Sequence, residues 1–534
     1  MNEAALMRIR ITLLVALFTA GSLGLALIYA PTVHVRAATG SEDELSRGVR
    51  AIAEAYSLVE QNFADPVSSE RAMYEGAIPG MLRTLDPHSN FLDPTEFRDM
   101  QRRQHAQYFG VGMEIAVDEG KIVVFQPFPG SPAWNAGLRR GDAVAAVDGR
   151  STKGMDTADV ANMLRGARGT PVSVTVERPG APEPMTIQVI RGEIQTSVVD
   201  AYWLKPGIAY LGITTFEAEN VSQDLETAIQ ALGEDKVQGL VLDLRGNPGG
   251  LLNEAVAVAG RYLRNGQTVV SHRGRAEQEQ IFRAKAQSLG QRYPIVVLVD
   301  RRSASASEIV SGALQDHDRA WILGETTFGK GLVQGQFPLS EGAALLLTIA
   351  HYYTPSGRLI QRDYQHRSFF DYYYAGRNDG PNLQDVKATD SGRKVYGGGG
   401  IAPDEKFDPP KGNLFQRHMV VSNAFFHFGS VYFSGHTPVV AEGWSPDAET
   451  LQGFRNFLDA QEIPYTEEEF NTNRQWILDQ LRWELYSRAL GKKTADRAAM
   501  RSDAEVNYAI QCLPKAQALF QEAQRVIAQR RQRR

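Results

Sequence analysis

Between residues 196 and 365, short apolar runs of strand type alternate with amphipathic runs of helix type, and no other feature narrows the architecture as much. The stretches GIAYLGITTF, VQGLVLDLR, PIVVLVD, RAWILGE and ALLLTIAHYY read as strands. Between them, VSQDLETAIQAL, LNEAVAVAGRYL and SEIVSGALQD read as helices. A chain that alternates in this way covers its strands with helices, so an α/β layer is expected.

The flanking regions read differently. Residues 41–104 are helical in pattern, with Leu45, Val49, Ile52, Ala53 and Tyr56 at helical spacing and a second helix over SERAMYEGAIPGMLRTL. Residues 105–195 contain the strand-like runs KIVVFQPF, DAVAAVDG, PVSVTVER and MTIQVIRG around one short helix, TADVANMLRGA. Residues 196–410 hold the α/β layer, and residues 411–534 are polar and helical. The expectation is a multidomain α+β protein, since 534 residues exceed what one core usually serves.

Composition excludes several classes. A net charge of −5 with 22% charged residues leaves no footprint for nucleic acid, and the basic tail RVIAQRRQRR reads as a solvated helix end. Cys512 is the single cysteine, so no internal disulfide forms, and no Cys/His spacing resembles a zinc site. The chemistry expected is free of metal or other cofactor.

At the N-terminus, Ile11–Ala30 runs for twenty residues without a charge after Arg8 and Arg10. This fits a secretory signal or an inner-membrane anchor with its basic flank in the cytoplasm. Val35-Arg36-Ala37 offers a cleavage site, and residues 1–40 are taken as the targeting segment. The remainder is expected to be exported to the periplasm or cell envelope.

The segment DRRSASASEIVSGALQD places Ser303, Ser305 and Ser307 where a buried strand becomes a helix. They are either helix caps or include a nucleophile. A helix N-terminus favours a developing negative charge, which gives the second reading a physical basis. No histidine stands at a comparable strand end. Lys330, in GETTFGKGLVQG, does, and a desolvated amine there would take a serine proton with Gln334 holding it. The turn RGNPGGLL, between a strand and a helix, exposes main-chain amides suited to an anionic intermediate.

Together, RGNPGGLL, SASASEI with GALQD, and GETTFGKGLVQ resemble the C-terminal processing (tail-specific) peptidases, a family of Ser-Lys proteases. The likeness runs from about Asp43 to Asp404 and includes AIPGMLRTLDPHSNFLDPTEF. It implies an α/β core of the ClpP/crotonase type, with Ser305 as nucleophile, Lys330 as general base and Gln334 orienting it. It further implies an oxyanion hole from the Gly250 and Ala306 amides, with Ser303 structural and Ser307 capping the helix.

YFGVGMEI and GSPAWNAGLRRGDAVAAVDG resemble a PDZ domain. Phe109, Gly110, Val111 and Gly112 would then turn amides towards a terminal carboxylate, and the next strand would pair with the peptide. Arg165 is a candidate sensor of occupancy if this unit gates the site. The partners expected are protein C-terminal tails. An adaptor or a second copy docking on the C-terminal helices, and packing of those helices on the catalytic layer, are left open. The alternative function is a non-catalytic PDZ scaffold of the envelope.

Overall fold

The computed structural model describes residues 42–104, 108–194, 198–276, 278–285, 292–365, 369–373, 382–408, 410–434 and 439–532. The targeting segment expected over residues 1–40 lies outside them. Two compact units divide at Ala77 and Ile78. The first is described from a long helix, Glu42–Asn62, to a π-helical stretch, Ala72–Ala77. The single second helix expected there is thus replaced by short pieces, in a stretch whose Gly76, Pro79 and Gly80 weaken helix propensity.

In the second unit, a β-rich part forms an antiparallel sheet in the order Met113–Asp118, Lys121–Pro127, Ala143–Val147, Pro171–Glu177 and Met185–Ile190. Alternation drives it: in Pro171–Glu177, Val172, Val174 and Val176 point inward and the residues between them do not. Helix Thr157–Leu164 covers one side through Val160 and Leu164, capped by the Asp156 carboxylate on the Asp159 amide. Met113–Asp118 is left as an edge strand of this sheet.

The α/β layer contains β1 (Val199–Lys205), β2 (Ile208–Ile213), α1 (Val221–Leu232), β3 (Gly239–Asp243), α2 (Leu252–Tyr262), β4 (Ile295–Val299), α3 (Ala306–Asp316) and β5 (Trp321–Gly324). The sheet runs β1-β2-β3-β4-β5 and ends on Glu405–Lys406, with only β1 antiparallel to its neighbour. Leu211, Leu242, Val297 and Ile322 lie in register across four strands and face α1, α2 and α3. Their neighbours Tyr210, Val241, Val296 and Leu323 face the other way.

That second face is covered by the last helix of the chain. After α4 (Arg474–Ala489), α5 (Ala504–Gln532) lays Val506, Ala509, Cys512, Leu513 and Ala516 against it. The C-terminal helices therefore pack on the α/β layer, one of the options left open by the sequence. They also hold the β-rich part. Glu484 of α4, 2% exposed, receives Arg140 at 2.8 Å and Arg488 at 2.7 Å, while Arg140 stacks over Phe125.

A second sheet centres on β7 (Ala344–Tyr353), flanked by β6 (Leu332–Pro338), Asn90–Leu92 and Thr268–Arg273. It brings the 86–89 loop, Gln334 and Tyr352 to the C-terminal ends of β3, β4 and β5. Clefts of open α/β sheets form at that end.

Candidate active site

Two strand-to-helix turns meet here. After β4, the Asp300 carboxylate accepts from the Gly246 amide at 2.9 Å and from the Ser303 amide at 3.0 Å. The Ser303 hydroxyl donates to the Leu244 carbonyl at 2.8 Å. The Asn247 carbonyl accepts the Ala304 amide and the Ser307 hydroxyl, each at 3.0 Å. Ser303 and Ser307 thus bind the serine turn to the glycine turn. Ser307 lies inside α3 and does not cap it, contrary to expectation, because the helix already starts at Ala306.

Ser305 stands apart from both. Its φ of +53° and ψ of −111° are costly for a side-chain-bearing residue, about 1–3 kcal/mol. The conformation is held from both ends. The Ser305 amide donates to the Glu308 carboxylate at 2.8 Å, and its carbonyl accepts the Tyr352 hydroxyl at 3.0 Å.

Glu308 is fully buried and binds the other loop as well. It accepts from the Thr327 hydroxyl at 2.5 Å, the Gly329 amide at 2.7 Å and the Lys330 amide at 2.9 Å. Burial pushes its pKa up against these bonds. The single Tyr352 proton is shared between the Ser305 and Lys330 carbonyls, so one carboxylate and one phenol fasten the serine and lysine loops together.

The Lys330 amine donates to Gln334 Oε1 at 3.1 Å, and Gln334 Nε2 donates in turn to the His88 carbonyl at 2.5 Å. Burial lowers the Lys330 pKa, opposed by the charges of Glu308 and Asp86. Ser305, Lys330, Gln334 and Gly250 line one cavity of about 700 Å³. Among the hydrogen bonds of the described residues, none joins Lys330 Nζ to Ser305 Oγ. The fold brings amine and hydroxyl to a common space and leaves the amine on Gln334.

The glycine turn fits closely against the serine. Gly249 has φ of +99°, and a Cβ there would fall 2.7 Å from the Ser305 Cβ and 2.9 Å from the Ala306 amide nitrogen. A Cβ on Gly250, φ +145°, would fall 2.1 Å from the Phe216 carbonyl carbon. Only glycine fits at either place.

The residues expected to receive a peptide tail line a second cavity, of about 830 Å³. Phe109, Gly110, Val111, Gly112 and Arg165 all border it, beside the edge strand Met113–Asp118. Arg165 donates to Asn162 Oδ1 at 2.9 Å and lies 3.9 Å from Asp99 Oδ2. Asp99 and Glu217 border both cavities, so the groove and the serine cavity adjoin.

Sequence reasoning missed three residues. Glu308 carries a legible signal, because Ser305-Ala-Ser-Glu308 has capping-box spacing. Tyr352 has none. His88 lies in the 86–89 loop, where its ring meets the Tyr372 hydroxyl at 2.9 Å, and burial followed by the Lys330 charge pushes its pKa down to about 4.

Residues 207–365 match peptidase family S41, residues 125–178 the PDZ domain, and residues 29–95 the activating protease CtpB N-terminal domain. The carboxy-terminal-processing protease of Bartonella bacilliformis is 41% identical over 300 residues, 55% of this chain and 68% of that protein. The carboxy-terminal processing protease CtpB of Bacillus subtilis is 32% identical over 336 residues, 62% of this chain and 69% of that protein. A solved photosystem II D1 C-terminal processing protease is 32% identical with a TM-score of 0.37, over 67% of this chain and 86% of that one.

Proposed function

The chain belongs to peptidase family S41, the carboxy-terminal processing serine proteases, and on that premise we propose that it is an exported endopeptidase working through a Ser305/Lys330 dyad. In this reading the uncharged Lys330 amine takes the proton of Ser305 Oγ as the oxygen attacks the scissile carbonyl carbon. The tetrahedral oxyanion is stabilised by the Gly250 and Ala306 amides. Collapse breaks the C–N bond, and Lys330 returns the proton to the leaving amine. A water then attacks the acyl-enzyme, with Lys330 again as base, and frees Ser305.

The observation that carries this reading is the single cavity holding a strained Ser305 and a desolvated Lys330. Because the amine rests on Gln334, it must turn towards Ser305 before attack. We assign that step to tail binding. A C-terminal tail pairs with the edge strand Met113–Asp118, its carboxylate meets the Phe109–Gly112 loop, and Arg165 reports occupancy across the Asp99 rim. Substrates on this reading are envelope proteins, processed or degraded from their C-terminal ends. Residues 11–30 serve as signal or inner-membrane anchor.

Digestion of an unfolded protein by the purified chain, beside Ser305→Ala and Lys330→Ala, tests the dyad. Both variants should be inactive. Equal digestion by all three would remove it. Family membership sets the scaffold alternative aside.

A further inference from the structure

Arg245 opens the glycine turn and is 17% exposed. Its Nε and Nη2 grip the Asp243 carboxylate at 3.0 and 2.7 Å, and its main-chain amide donates to the same group at 3.0 Å. Its Nη1 donates to Glu505 Oε2 in the last helix at 2.9 Å and to Asp503 Oδ2, just before that helix, at 3.2 Å. One guanidinium therefore ties the end of β3 to the start of α5, which lies on the sheet face opposite the nucleophile helix.

The residues that follow lead to the serine. Gly246, φ +70°, donates to Asp300. The fully buried Asn247 accepts from Ala304 and Ser307, the neighbours that bracket Ser305 and Ala306. Gly250 ends the turn on the cavity wall. Docking of α5 has its own apolar contact through Val506, Ala509, Cys512, Leu513 and Ala516, so the ion cluster is not needed for adhesion. Replacing a whole buried ion pair by apolar groups is often neutral for stability, and fixing a geometry is its best-attested use.

We infer that Asp503 and Glu505 are positioning residues for the peptidase reaction, which set the oxyanion turn through Arg245. This makes the C-terminal helix part of the catalytic apparatus, and it rests on the reading of Gly250 as an oxyanion donor.

The test compares the full chain with the double variant Asp503→Asn/Glu505→Gln and with Lys515→Met. The latter removes the 2.7 Å pair between α5 and Glu405, away from the turn. The double variant should lower kcat about 10- to 100-fold, the scale of a small misplacement, with KM changed less than about twofold. Tail-peptide affinity should hold, and Lys515→Met should keep the kcat of the parent. A double variant with parental kcat would overturn the inference, as would an equal fall in kcat for Lys515→Met. Ser305→Ala in the same assay separates the two readings. If it still cleaves, the dyad fails. If it is dead while the double variant is fully active, only the present inference falls.

Discussion

The serine cavity and the tail groove share Asp99 and Glu217 on their rims but are built differently. Around Ser305 every loop is tied by buried groups: Glu308 with four bonds, Tyr352 with two carbonyls, Asn247 with both turns. Around the groove, the binding strand is a sheet edge, Phe109 is 38% exposed, and Arg165 meets Asp99 only at 3.9 Å. A reacting group gains from being held in place before the reaction. A strand acceptor needs its main-chain groups open. The contrast predicts that damage to the first region removes rate and damage to the second removes affinity or coupling.

Ser305→Ala should cost the most, with cleavage reduced about 10⁵-fold or more and tail binding, read by fluorescence anisotropy, unchanged. A comparable loss of binding would erase the distinction between the regions. Gly250→Ala comes next. Its Cβ meets the Phe216 backbone, so the turn must shift, and kcat should fall about 10²- to 10³-fold while the groove keeps its affinity.

Gly112→Ala is the mirror experiment. At φ +76° its Cβ would fall 2.5 Å from the Ser131 Cβ, so the tail Kd should rise about tenfold with kcat at saturation retained. A fall in kcat instead would place this loop with the chemistry. Arg165→Ala should have the smallest effect. Binding is kept, while stimulation of cleavage by a tail peptide drops about fivefold, the lower range of a coupling energy. Parallel loss of binding and cleavage would argue against sensing.

Much of this was legible because periodicity records burial. PIVVLVD is apolar at every position from Ile295 to Val299 because Ile295, Val297 and Val299 face one core and Val296 and Leu298 the other. What the sequence could not display were partners far apart along the chain. The helical character of residues 411–534 is legible, but not that α5 closes the second face of the sheet. That Gln334 sits in β6, paired with Thr348 of β7, needs coordinates. His88 and Tyr352 enter the site only through the second sheet, whose strands Asn90–Leu92 and Ala344–Tyr353 pair across some 250 residues. The strain at Ser305 likewise needs coordinates, because nothing in SASAS marks a positive φ.

The pH dependence of kcat/KM for a tail-bearing peptide bears most directly on the dyad. Raising the pH increases the neutral fraction of Lys330, so the rate should climb through an inflection below 10.5, the value of a free lysine. His88, pushed down to about 4, should add no step near 6.5. An inflection at or above 10.5, or the same profile in Lys330→Met, would contradict the account.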